Sequence, residues 1–89
     1  MEIEFDPAKD QINRAKHGIS LAAAAEIDLE QAIVIEDRRF EYGETRFFAY
    51  APVGGRLHVL WFTRRGSVVR VIGLRRANRR ERNQHGQRS

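Results

Sequence analysis

The sequence predicts a small α+β domain, with two N-terminal helices packed on an antiparallel β-sheet meander and a short C-terminal helix. Three observations predict it. The chain is 89 residues long, below the roughly 100–150 of a common single domain, so one thin core is expected. Residues 6–28 carry helix start and stop signals in close succession. Residues 32–74 hold short β-branched and aromatic runs separated by turn residues, which is the pattern of strands rather than helices.

Each element has a local reason. Met1–Phe5 alternates and reads as a short strand. Asp6 is a helix N-cap and Pro7 fits the first helical position, where no N–H is needed. Ala8, Ile12 and Ala15 follow at helical spacing as a narrow apolar stripe expected to face the core. Lys16-His17-Gly18 ends this helix, with cations at the negative end of its dipole and glycine at C′. Ser20 caps a second helix expected to run through Ala22–Ala25 to about Asp28.

Strands are expected at Ala32–Glu36, Arg46–Ala51, Leu57–Thr63 and Val68–Leu74, with Leu57–Thr63 central because it is the most apolar. Short connections at Pro52–Gly55 and Arg64–Ser67 require antiparallel neighbours, giving three or four strands in a meander. Asn78 with Glu81 three residues later is a capping-box pattern that starts the last helix. The chain is expected to fray from Asn83, leaving one domain over 1–84 and a disordered tail over 85–89.

Composition excludes several classes. At 42% hydrophobic and 31% charged, the chain is too apolar for disorder and too charged for a membrane protein. No run approaches the roughly 20 apolar residues that span a bilayer. The acidic opening segment Met1–Asp10 does not resemble an export signal, and a cytoplasmic location is expected. Without cysteine there is no disulfide, thiolate nucleophile or Cys-based zinc site. No phosphate-binding glycine loop occurs, and His17, His58 and His85 lack metal-ligand spacing. No cofactor and no metal are expected.

The charge is divided along the chain. Residues 1–45 hold five basic and eleven acidic side chains, while residues 46–89 hold eleven arginines and one acid, Glu81. Arginine presents a planar fork that matches phosphate oxygens in pairs, so the second half points to a nucleic-acid or other polyanionic partner. Two clusters stand out. Lys9, Asn13 and Lys16/His17 share a face of the first helix and combine cations with one group titrating near neutrality. Arg70, Arg75, Arg76, Arg79, Arg80 and Arg82 fall within thirteen residues. On a regular strand Arg70 and Arg76 share a face and Arg75 points away.

These motifs, in order, make a recognisable series. They are Phe5-Asp6-Pro7-Ala8-Lys9, Asn13-x-x-Lys16-His17-Gly18-Ile19-Ser20, Asp37, Tyr42-Gly43-Glu44-x-Arg46 and Gly55-Arg56. The Val59–Thr63 strand, Arg70-Val71-Ile72 and the Arg75–Arg82 segment complete it. The sequence resembles the BrnT family, toxins of BrnT/BrnA type II toxin–antitoxin modules. It departs at Gly73, where the family shows serine, and at Asn83-Gln84-His85, where an aromatic residue follows the final Glu-Arg.

The resemblance implies a RelE-like fold and a ribonuclease that slows translation. It also implies a BrnA-like ribbon-helix-helix antitoxin as partner, with operator DNA bound through the toxin–antitoxin complex. Metal-free RNA cleavage needs a proton acceptor for the ribose 2′-OH and cations at the phosphate. On that reading Lys16, His17, Arg46, Arg70 and Arg75 are the catalytic candidates, with His17 as acid or base and Glu44 or His58 complementary. Lys9, Arg76, Arg79, Arg80 and Arg82 would contact flanking phosphates or the antitoxin. The basic half fits a non-catalytic nucleic-acid-binding module or corepressor equally well, and a toxin relic that only binds its antitoxin is a third reading.

Overall fold

The structure, a computed structural model, describes residues 1–86. Strand β1 (Ile3–Glu4) leads into helix α1 (Pro7–His17), whose first turn is capped by Asp6 accepting a hydrogen bond from the Ala8 N–H at 2.9 Å. Gly18 ends the helix at φ +72°, a left-handed conformation that glycine adopts without steric cost. A 3₁₀ helix (Leu21–Glu26) follows, capped by Ser20. Four strands come next: β2 (Ile33–Asp37), β3 (Arg46–Val53), β4 (Arg56–Arg65) and β5 (Val68–Arg76). The short helix α2 (Arg79–Glu81) runs directly into a π-helical turn (Arg82–Gly86).

These strands form one five-stranded sheet in the order β1-β5-β4-β3-β2. β2 to β5 are the expected antiparallel meander with β4 central. The expectation of three or four strands, all antiparallel, needs correction, because β1 pairs with the edge of β5 in parallel. Two residues suffice for that pairing, too few for the sequence to announce. The second N-terminal helix is corrected as well. It is a six-residue 3₁₀ turn ending at Glu26, since its alanines bury too little surface to stabilise a longer α-helix. The expected tail begins later than Asn83, because residues 82–86 continue as a helical turn, and its remainder, 87–89, lies outside the described residues.

One face of the sheet carries the core. Ala49, Ala51, Val53, Leu60, Phe62, Val69, Val71 and Leu74 pack there against Leu21, Ala24 and Ile27. Ile3, Phe5 and Phe47 close its margin. The opposite face carries Phe48, Tyr50, Val59, Trp61 and Arg75, as the register Phe48↔Trp61↔Gly73 and Tyr50↔Val59↔Arg75 requires.

Helix α1 does not lie on the core through its apolar stripe. Ile12 is 64% exposed, and Ala8 and Ala15 face solvent. The buried face is polar and consists of Asp10 and Asn13. Asn13 Nδ2 donates to the Leu74 carbonyl at 2.8 Å and to the Ile19 carbonyl at 2.9 Å, and its Oδ1 accepts from the Leu74 N–H at 3.2 Å. The side-chain amide therefore does for β5 what another strand would do, beyond the point where β1 stops. Asp10 accepts bonds from the Leu21 N–H at 2.7 Å and the Ser20 hydroxyl at 3.0 Å. These bonds hold the Asp10 carboxyl below its usual range, the Leu21 N–H being the largest cause. The helix is thus docked by satisfying backbone groups that burial would otherwise leave unpaired.

Asp37, at the end of β2, anchors the following loop in the same manner. It accepts bonds from Arg39 Nε at 2.8 Å, Arg39 NH2 at 2.9 Å and the Tyr42 hydroxyl at 3.0 Å. Arg46 then stacks over the Tyr42 ring at 4.2 Å and pairs with Glu44 at 3.4 Å.

Two predictions follow from this packing. Asn13→Leu keeps the volume but leaves the Leu74 and Ile19 groups unpaired, and should cost about 3 kcal/mol or more, read as a lower urea midpoint at unchanged m. Asp37 is held well below the usual carboxylate range, chiefly by the Arg39 side chain. A depressed folded-state pKa stabilises above the unfolded carboxyl pKa and loses that contribution as pH falls below about 4. Unfolding curves between pH 7 and pH 2.5 should therefore fall less steeply for Asp37→Asn than for the parent.

Candidate functional site

The docking of α1 decides what meets at the end of β5. With Asn13 bonded to Leu74, His17 lies one helical turn further on, within electrostatic reach of Arg75. Its imidazole is held below the ordinary histidine value, first by the desolvation it undergoes although exposed, then by the charges of Lys16 and Arg75. It is therefore mainly neutral at pH 7 and able to accept a proton.

Arg75 is the most constrained guanidinium on this face. It donates to both carboxylate oxygens of Glu81 at 2.9 Å each and to the Arg76 carbonyl at 3.0 Å, and it lies 5.2 Å over the Trp61 ring. Glu81 is fixed in turn by the capping box, accepting from the Asn78 N–H at 2.9 Å while its own N–H donates to Asn78 Oδ1 at 2.8 Å. Arg75 holds the Glu81 carboxyl below its usual range. Tyr50, two strands away in the same row, has its phenol pushed up by burial and then by the Glu81 charge. The His85 ring stacks on Tyr50 with centroids 4.0 Å apart and planes 20° from parallel.

The arginine faces differ from the regular-strand expectation. β4 and β5 shift register between Trp61 and Phe62, so that Trp61 opposes Gly73 while Phe62 opposes Val71, and Ile72 is the extra residue. A bulge of this kind reverses the alternation beyond it. Arg70, opposite Thr63, therefore shares a face with Arg75, and Arg76, opposite His58, lies on the other. Arg46 is on the Arg75 face as well, two residues before Phe48.

The predicted residues thus separate into groups. The Arg75 charge reaches the His17 imidazole, and Lys16 adjoins His17 at the helix end. Arg46 and Arg70 share their sheet face but lie towards its other end, paired with Glu44 at 3.4 Å and Glu4 at 2.6 Å. Lys9, Arg79 and Arg80 are exposed on the two helices. Arg82 is half-buried and donates to the Ala77 carbonyl at 3.0 Å, a fold contact. The expected cluster of Lys9, Asn13 and Lys16/His17 does not form as a ligand surface, because Asn13 is consumed by β5.

His58 is excluded as a partner for His17. It is buried on the opposite face, with Nδ1 2.7 Å from the Arg56 carbonyl. Glu81, Tyr50, Trp61 and His85 were not expected at the site. The capping box gave a signal for Glu81 as a helix start, but not for its second use on Arg75. Among the described residues no three His, Asp or Glu side chains group as metal ligands. A concavity of about 540 Å³ lies within the 36–45 loop, lined by Asp37, Arg39, Tyr42 and Glu44 among others, and includes neither His17 nor Arg75.

The profile of the family described as the ribonuclease toxin BrnT of type II toxin–antitoxin systems matches residues 5–81. The chain belongs to the BrnT family. A crystal structure of the Brucella abortus ribonuclease toxin BrnT superposes with a TM-score of 0.72 at 29% identity, covering 89% of this chain and 99% of that one. No curated protein matches significantly. As a BrnT-family member this chain is a ribonuclease toxin of a type II system, which implies an RNA target and an antitoxin partner. Its mixed α+β fold agrees with the Brucella structure.

The two departures from the BrnT pattern have structural readings. A Cβ at Gly73 would meet Trp61 Cε3 and Asn13 Oδ1 at 3.9 Å each, an ordinary contact, so serine would fit and its absence leaves bare backbone beside the Trp61 ring. In the segment after Glu81-Arg82, His85 places a ring on Tyr50. Among the described residues, no helix is long and apolar enough to cross a membrane.

The geometry makes a titration prediction. By NMR the His17 pKa should lie below 6.5, and Arg75→Gln should move it upward, since one nearby positive charge is lost. An unchanged value would mean that the two groups do not interact.

Proposed function

We propose that this protein cleaves single-stranded RNA without a metal ion, with His17 as general base and Arg75 at the scissile phosphate. The single observation carrying the reading is the exposed His17 at the end of α1, one turn beyond Asn13, which is bonded to Leu74, next in the chain to the clamped Arg75. His17 accepts the proton of the ribose 2′-OH, whose oxygen attacks phosphorus. The bond to the 5′-oxygen breaks, and solvent water protonates that oxygen. The products are a 2′,3′-cyclic phosphate and a 5′-hydroxyl.

Arg75 neutralises the charge that builds on the phosphoryl oxygens, where a preorganised cation is most effective. Lys16 adds a second charge at the helix end, and Arg46 and Arg70 hold the strand further along the same face. Lys9, Arg79 and Arg80, exposed on the two helices, serve flanking phosphates or the antitoxin, Arg76 on the opposite sheet face serves the antitoxin, and Arg82 has its guanidinium on the Ala77 carbonyl. The antitoxin is a BrnA-like ribbon-helix-helix protein, and the complex represses its own operon by binding operator DNA. The fold is RelE-like, by analogy at the level of family and architecture, and the toxin acts in the cytoplasm.

The test uses purified protein, a single-stranded RNA and excess EDTA. Cleavage should persist in chelator and fall about 10²–10⁴-fold in His17→Ala, the usual range for losing a general base. In the parent the rate should rise with pH through an inflection below 6.5, because the neutral imidazole is the active form. Full activity in His17→Ala would remove it from the mechanism. Binding with a steep salt dependence and no cleavage would favour the non-catalytic nucleic-acid-binding module.

A further inference from the structure

The sheet face opposite the core carries more than the groups that proton transfer and charge neutralisation require. Phe48 and Trp61 sit side by side in one cross-strand row, with ring centroids 6.3 Å apart and planes 33° from parallel. Both are half-buried, and the next position in the row is Gly73, which adds no side chain. Arg46 and Arg70 lie beyond this row on one side, and Arg75 lies beyond it on the other with its guanidinium reaching back to 5.2 Å over the Trp61 ring, leaving Phe48 as the more open ring.

Aromatic rings in the middle of a sheet face are normally covered by a helix. Here the 3₁₀ helix serves the other face, α1 is bonded along the β5 edge, and the closing turn reaches Tyr50, through His85, and Arg75, through Glu81. We infer that Phe48 and Trp61 form a stacking platform for the unpaired bases of single-stranded RNA. This deepens the nuclease reading, on which it rests, by naming how the same face grips its substrate.

Two observations favour bases over other occupants. First, the face already takes a planar heteroaromatic ring in parallel stacking, that of His85 on Tyr50. Second, Arg46, Arg70 and Arg75 are each paired with a carboxylate, Glu44, Glu4 or Glu81, and Arg65 at the end of β4 shares Glu44 at 3.9 Å. Their charge is partly offset, while each keeps N–H donors free for phosphate. Base stacking is sequence-tolerant and independent of that charge, so it supplies grip where phosphate attraction is reduced. The arginines on both sides of the aromatic row match a strand laid across it with phosphates flanking its bases.

Trp61 is the sole tryptophan, so its fluorescence reports on this surface. The full chain is titrated with a single-stranded 2′-O-methyl oligouridine, which lacks the nucleophile, and with an abasic oligomer of equal charge. The base-bearing strand should quench Trp61 saturably, and the abasic strand should bind about ten-fold or more weakly without quenching. Phe48→Leu, which keeps an apolar side chain and so protects the fold, should weaken the base-bearing strand by a similar factor.

Equal binding of the two oligomers without quenching, or no binding of either, would overturn the platform. So would Phe48→Leu binding the base-bearing strand as tightly as the parent, the outcome expected if this face served an apolar protein segment. Cleavage of unmodified RNA is followed in parallel. Cleavage without quenching removes the platform and leaves the nuclease reading standing, whereas base-dependent quenching without cleavage supports the platform and removes the nuclease reading.

Discussion

The structure depends on one side-chain amide. Asn13 carries out the hydrogen bonding of a missing strand on the free edge of β5, donating to the Leu74 carbonyl and accepting from its N–H. β1 covers that edge only at Val69 and Arg70. Without Asn13 the edge would be buried unpaired beneath a helix, at a cost of roughly 1–3 kcal/mol for each orphaned group. With it, α1 is held at a fixed height along β5, and the helix end falls where the Arg75 charge acts on His17. Stability and site assembly are therefore the same contact.

A second constraint acts within the sheet. The extra residue Ile72 changes which arginines face the aromatic surface. Without the bulge Arg70 would point to the core side, where Val69 and Val71 now pack. With it, Arg70 and Arg75 share the face that also carries Arg46. The capping box has a comparable double use, since Glu81 begins α2 through Oε1 and clamps Arg75 with both of its carboxylate oxygens. A chain with so thin a core gains by letting fold contacts also orient functional groups.

Much of the fold was legible because its signals are local. Asp6-Pro7, Gly18, Ser20 and the Asn78–Glu81 box act over three or four residues, and β2 to β5 have turns short enough to force antiparallel pairing. The second helix was overestimated from its alanines, which favour helix but bury little. The stripe Ala8/Ile12/Ala15 misled because apolar periodicity assumes a helix buried by hydrophobic contact, whereas α1 docks through Asp10 and Asn13. The parallel pairing of β1 and the bulge at Ile72 depend on partners about 65 and 10 residues away, respectively, and no local pattern encodes them. At the site, residue types gave His17 and the arginines. The partners Glu81, Tyr50 and Trp61 required the fold, because only register brings them to one face.

The central claim is that His17 and Arg75 act as one unit. A double-mutant cycle on kcat/KM for RNA cleavage tests it most directly, using His17→Ala, Arg75→Gln and the pair. The account predicts strong non-additivity, with the double variant scarcely slower than the slower single one, as for groups that serve one transition state. Losses that simply add would mean that the two residues work independently, and would contradict it.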